Sequence, residues 1–194
     1  IVEGRNLDSI SQCEIKESFY RIRQNLESMA YGLYFAELLR ASTPIEDKNR
    51  ELFRFFLKTL YLLQEWENKE VLARIYEVKL MAIQGFAPEV FSCVSCGQSP
   101  SSSIYFSPSM GGILCFNCHK TDENAVSISS ETLVAFQKML MQTYEKLKNI
   151  NISKYTREQL SNILSLFISH QIDRKLKTVQ FIKDIKRLNI ISSV

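Results

Sequence analysis

Apolar residues recur at steps of three and four along most of the chain, the spacing of helices that bury one face. Phe19, Ile22, Leu26, Met29, Leu33 and Ala36 form the first stripe and predict one long amphipathic helix from about Glu17 to about Ala41. Thr43-Pro44-Ile45-Glu46 then reads as a helix start. Thr43 would cap the free amides, Pro44 suits the first helical position, and Glu46 can reach back as in a capping box. That helix runs to about Trp66 on a stripe of Leu52, Phe53, Phe56, Leu60 and Leu63. Another, from about Lys69 to Gln84, carries Leu72, Ile75, Tyr76, Lys79 and Leu80; Gly85 ends it and Pro88 prevents its continuation. After Ser129-Ser130 the period returns through Leu133, Phe136, Leu140, Tyr144 and Leu147. A further helix opens at Thr156, with Gln159 completing a capping box, and passes Leu160, Ile163, Leu164 and Phe167. The last covers roughly Leu176 to Leu188.

Two stretches break this pattern. Residues 1–16 are polar, contain Gly4 and hold no helical period, which reads as a strand or loop remnant. Residues 91–125 carry four of the five cysteines, three of the six glycines and the run Ser99-Pro100-Ser101-Ser102-Ser103. The fold class that follows is mainly α: a bundle of about five or six helices interrupted by one cysteine-rich insertion, without internal repeats.

Composition adds little to this picture. The chain has 194 residues, 45% apolar and 23% charged, ordinary values for a domain that forms its own core. Its apolar runs are far shorter than the roughly 20 residues of a membrane span, and its start lacks a secretory leader pattern. A cytosolic protein is expected. Ile1 in place of methionine reads as a fragment or a processed product.

Charge is more telling. The net charge is +3, yet six basic residues (Arg174, Lys175, Lys177, Lys183, Lys186, Arg187) lie between Asp173 and Arg187 against two acids, a local +4. The positive excess therefore sits at the C-terminal end. Such a segment is either a solvated helix face or an anion-binding surface.

The strongest chemical signal is Cys93-Val94-Ser95-Cys96 followed by Cys115-Phe116-Asn117-Cys118, a C-x2-C-x18-C-x2-C array. Two residues between cysteines let one tight turn aim both sulfurs at a single ion, and two such turns supply the four thiolates of a tetrahedral zinc site. Gly97 suits the positive φ such a turn requires. The spacer fits a short hairpin of Ile104-Tyr105-Phe106 with Ile113-Leu114 around Gly111-Gly112. Four thiolates leave no open position for water, so a structural Zn2+ is expected, pinning a loop with no apolar core of its own. Cys115-Phe116-Asn117-Cys118-His119 also spells the c-type haem attachment motif. That chemistry needs export and leaves Cys93 and Cys96 unexplained. Cys13 has no partner in sequence and reads as a small buried hydrophobe.

No catalytic residues emerge. His119 neighbours a ligand cysteine, His170 ends an apolar helix, and no phosphate loop, nucleophile elbow or metal-hydrolase motif is present. Glu65 with Glu67, and Asp122 with Glu123, look like solvated charges.

In order and spacing these motifs resemble the bacterial recombination mediator family RecO. The resemblance is carried by Leu26-Glu27-Ser28-Met29-Ala30-Tyr31, Ala36-Glu37-Leu38-Leu39, Glu51-Leu52-Phe53, and Lys79-Leu80-Met81 leading into Gly85-Phe86-Ala87-Pro88. It continues through the cysteine module with Phe106 and Gly111-Gly112, then Ser169-His170-Gln171-Ile172 and Leu176-Lys177-Thr178-Val179-Gln180-Phe181. The resemblance implies that residues 1–16 are the end of an OB-fold domain, most of which this chain lacks. Residues 17–194 would then be the helical domain, with the zinc module inserted at 91–120. It further implies a non-enzymatic DNA repair factor of the cytoplasm and nucleoid. Such a factor binds single- and double-stranded DNA, anneals strands and works with RecR. It helps load RecA onto DNA coated by single-strand-binding protein, whose acidic, apolar-ended tail docks on the helical domain.

The residues fit this reading independently. Arg174, Lys175, Lys177 and Lys183 are the candidate phosphate contacts, although helical spacing does not put all of them on one face. The rival is a zinc-stabilised interaction scaffold whose basic helix serves an acidic protein partner; a steep salt dependence of DNA affinity separates the two.

Overall fold

The computed structural model describes residues 9–44, 48–100, 103–172 and 174–187. Helices α1 (Tyr20–Arg23), α2 (Leu26–Ser42), α3 (Arg50–Leu63) and α4 (Lys69–Ile83) precede strands β1 (Ile104–Ser107), β2 (Gly112–Cys115) and β3 (Val126–Ile128). Helices α5 (Ser130–Met141), α6 (Tyr144–Leu147), α7 (Lys154–Gln171) and α8 (Lys177–Arg187) follow. None is long and apolar enough to cross a membrane.

Helix α4 is the hub. Every residue from Val71 to Val78 is buried, with Leu80 and Met81, as befits a helix enclosed on all sides. Around it runs an aromatic spine: Phe35 lies 4.4 Å from Tyr76, Phe55 stacks on Tyr76 at 5.2 Å, and Tyr144 continues beyond Phe55 at 6.2 Å. The Tyr76 hydroxyl donates to the Phe35 carbonyl. Two charges are buried in the same layer. Arg74 pairs with Glu77 at 2.7 Å, and the Tyr34 hydroxyl donates to Glu77 at 2.6 Å. Burial raises the pKa of Glu77, against the opposing pull of Arg74 and Tyr34.

Helices α2, α3 and α4 start where an asparagine supplies the cap. Asn25, Asn49 and Asn68 accept the amides of Ser28, Leu52 and Val71, and each is followed two residues on by an acid (Glu27, Glu51, Glu70) that favours the positive helix end. The expected continuous helix from Glu17 is therefore split, because Asn25 caps a new helix and Phe19 takes a left-handed φ of 49°. The expected start at Thr43 is also corrected. Thr43 lies at the C-terminal end of α2, its hydroxyl donating to the Leu39 carbonyl, while Ile45 and Glu46 lie outside the described residues. Helix α7 is capped by Ser153, not Thr156, and Gln159 accepts instead from Ser129 and Thr132 of α5. The stripe from Leu133 to Leu147 falls on two helices, with Tyr144 opening the second.

Helix α2 also faces the other way from its predicted stripe. Tyr31, Tyr34, Phe35 and Leu38 are buried, whereas Leu33 is 50% exposed and Leu26 and Ala36 face solvent. Both faces are apolar, and the aromatic one buries more surface. Residues 9–16 are exposed and, apart from a single bridge residue at Ser9, without regular structure; residues 1–8 lie outside the described ones. Cys13 is exposed there, contrary to expectation.

The three strands form one antiparallel sheet in the order β2-β1-β3, with Phe106 opposite Ile113 and Val126. The predicted hairpin is present. Its inner residues, Ile104, Phe106, Ile113 and Ile128, belong to the same core as the helices, and Phe106 lies 5.5 Å from Phe136 and 6.0 Å from Phe167. The insertion thus shares the bundle's core, a correction to the loop without apolar support read from the sequence. Alternate residues of short strands supply that support.

Candidate metal centre and basic groove

Backbone pairing brings the two cysteine turns together. Glu89 and Gly112 form a parallel bridge; the Ile113 amide donates to the Glu89 carbonyl and the Val94 amide to the Ile113 carbonyl. Gly112 permits this approach, since a Cβ there would collide with Val94 Cγ1 and meet the Glu89 carbonyl oxygen at 2.7 Å. The first turn closes through the Gly97 amide to the Cys93 carbonyl, with Gly97 at φ 74° as expected. The second closes through the Cys118 amide to the Cys115 carbonyl.

The Sγ atoms of Cys93, Cys96, Cys115 and Cys118 consequently lie within 4.8 Å of one another, those of Cys96 and Cys115 at 3.9 Å. A tetrahedral thiolate site with bonds of about 2.3 Å has sulfurs roughly 3.8 Å apart, so this cluster can hold a metal ion. The Cys115 amide points at Cys93 Sγ from 3.4 Å. Burial opposes ionisation of Cys93, but the amides of Cys115, Cys96 and Ser95 outweigh it and bring the thiol down to about 6. For Cys118 the Ser95 hydroxyl favours the thiolate, yet the crowding sulfurs push it up to about 11. Four thiolates at this spacing need a cation to offset their mutual repulsion.

The sequence-predicted basic residues divide. Arg174, Lys175 and Lys183 line one groove of about 560 Å³ between α2, α7 and α8. Its apolar wall comes from Tyr34, Ile168, Ile172, Leu176 and Val179. Among the described residues, no carboxylate lies within ion-pair distance of these three cations. Lys177 is exposed but is not in that groove, since six residues separate it from Lys183, roughly 120° around the helix. Lys186 is engaged in the fold, pairing with Glu70 at 2.6 Å, and Arg187 lies 4.0 Å from Asp184. Asp173 lies outside the described residues.

Glu37, which sequence reasoning missed as a site residue, positions this wall. Its carboxylate accepts the amides of Lys177 and Thr178 and the Thr178 hydroxyl, at 2.9, 2.8 and 2.5 Å, and so holds the start of α8. Partial burial opposes its charge, but those hydrogen bonds hold the carboxyl below the usual carboxylate range. No local motif announces a contact across 140 residues. His170 is exposed at the end of α7, and His119 stacks on Tyr105 beside the cysteine cluster.

The family model described as recombination protein O, C terminal, matches residues 23–180. A DNA repair protein RecO of Alkaliphilus metalliredigens is 33% identical over 90% of this chain and 71% of its own length. Another from Caldicellulosiruptor saccharolyticus is 32% identical over 94% of this chain and 74% of its own length. One from Pelotomaculum thermopropionicum is 32% identical over 92% and 70%. By its family-model match and by these relatives, the chain belongs to the RecO family of DNA repair proteins.

Proposed function

We propose that the chain is a non-enzymatic DNA-binding recombination mediator, in which a structural zinc at Cys93, Cys96, Cys115 and Cys118 holds one end of the helical domain. It acts in the cytoplasm and nucleoid. With RecR, it helps load RecA onto single strands coated by single-strand-binding protein and anneals complementary strands. The observation that carries this reading is the groove rimmed by Arg174, Lys175 and Lys183. Three cations without carboxylate partners among the described residues favour a polyanion, because bringing in phosphates releases counterions rather than breaking ion pairs. The apolar wall of the same groove favours, as a second occupant, an acidic peptide with an apolar end, of the kind at the tail of single-strand-binding protein. Of the four candidate phosphate contacts, Arg174, Lys175 and Lys183 belong to this groove and Lys177 lies on a different face of α8.

The test is a titration of a fluorescent single strand at several salt concentrations. Replacing Arg174, Lys175 and Lys183 together by Ala should weaken binding on the order of tenfold or more and flatten the salt slope by about 2. Lys177→Ala should change little. Equal affinity of the triple variant would reject the groove as a DNA site. Loss of acidic-peptide binding with DNA affinity intact would favour the scaffold reading.

A further inference from the structure

The cysteine module presents an aromatic ladder that neither the core nor the metal site requires. Tyr105 points outward from the middle of β1, between the buried Ile104 and Phe106. His119 stacks on it at 4.4 Å with an interplanar angle of 16°, and Phe116 stacks on His119 at 5.5 Å and 29°. His119 Nδ1 donates to the Phe116 carbonyl at 2.5 Å, which fixes the imidazole plane between β1 and the second cysteine turn. Phe116 itself is 55% exposed and stands outside the core cluster. It is an aromatic ring held on a metal-binding turn with much of its surface in water. Lys120, one residue past His119, is exposed and without an ion-pair partner among the described residues.

Rings packed for stability bury their faces; here near-parallel rings end in an open one. The natural continuation of such a stack is another flat ring, and an exposed cation four residues further along the chain suits a phosphate that follows each base. We infer that Phe116, backed by His119 and Tyr105, is a stacking platform for an unpaired nucleobase, with Lys120 beside the adjoining phosphate. The platform acts separately from the groove on α8. It reads bases as rings, so it selects single over double strands without selecting sequence. This inference rests on the DNA-binding reading above and adds to it a surface that the basic groove does not supply.

The experiment uses the full chain with its metal. Binding of a fluorescent oligothymidylate, an abasic strand of equal length and a duplex would be titrated against wild type, Phe116→Ala and Phe116→Tyr. The expected result is that Phe116→Ala weakens oligothymidylate binding on the order of tenfold, leaves the abasic strand and the duplex unchanged, and is rescued by Phe116→Tyr. In a second measurement, Phe116→Trp places an indole on the surface while Trp66 stays buried, and oligothymidylate should quench it. Wild-type affinity in Phe116→Ala, or an unquenched indole in a strand-bound Phe116→Trp, overturns the platform and leaves the DNA-binding reading standing. Equal losses on all three nucleic acids also overturn it, since that pattern marks a general disturbance. Absence of wild-type binding to any of them would instead remove the underlying reading.

Discussion

The helical core and the cysteine module are stabilised differently, although they share side chains. In the core, α4 is buried all round and the aromatic spine from Phe35 to Tyr144 leaves no role for an ion. In the module, only the inward residues of three short strands reach that core, and the cysteine turns extend beyond it, with Cys96 and Phe116 exposed. Apolar burial thus accounts for the roots of the module and not for its tips. The cysteine cluster, which could hold a metal ion, lies where that burial thins out, with Cys93 buried, Cys115 and Cys118 half-buried and Cys96 exposed.

The comparison makes its sharpest prediction at the tips. Cys115→Ser should abolish stoichiometric zinc binding and expose residues 95–97 and 116–119 to protease, while the far-UV circular dichroism of the helices stays at its wild-type value. Full metal content in the variant would mean the ligand set is wrong, and a collapse of the helical signal would erase the distinction between roots and tips. At the roots, Phe106→Ala removes a ring that touches Phe136 and Phe167, and should cost about 3–5 kcal/mol in a urea titration of the whole domain. A cost confined to the module would show that its strands are only laid on the bundle.

The smallest effect concerns α8, held at its start by one carboxylate. Glu37 has a folded pKa below its ordinary 4.5, so its stabilising hydrogen bonds are fully present above about 4.5 and are lost as pH falls through the lower folded value. The protection factors of the Lys177 and Thr178 amides, taken against the intrinsic exchange rate at each pH, should therefore fall below that window and hold at neutral pH, whereas the amides of α4 remain protected throughout. Glu37→Gln should show low protection at both amides at every pH. Protection factors that ignore pH would mean α8 is held by Val179, Ile182 and Ile185 alone.

What could be read beforehand divides along the same line. The cysteine spacing encodes the cluster of four thiols because two-residue turns admit few geometries, and the hairpin follows from alternation around Gly111-Gly112. Helix α4 was legible too, ending at Ile83 just before Gly85. Helix α2 was not, because periodicity cannot choose between an aromatic face and an aliphatic face on one helix; only the partner, Tyr76, decides. The starts at Asn25, Asn49 and Asn68 carried a readable signal, an asparagine two places before a glutamate, which Thr43-Pro44 and the uninterrupted apolar stripe overshadowed. The groove joins Tyr34 to residues beyond Ser165, a meeting that no local pattern encodes.

Gly112 carries one further consequence. With no side chain there, two distant stretches of chain lie backbone against backbone, and the peptide hydrogen bonds between them bring the two pairs of sulfurs to one place. A single methyl group at this position would push those stretches apart, and the four thiols would part with them although every cysteine is still in the sequence.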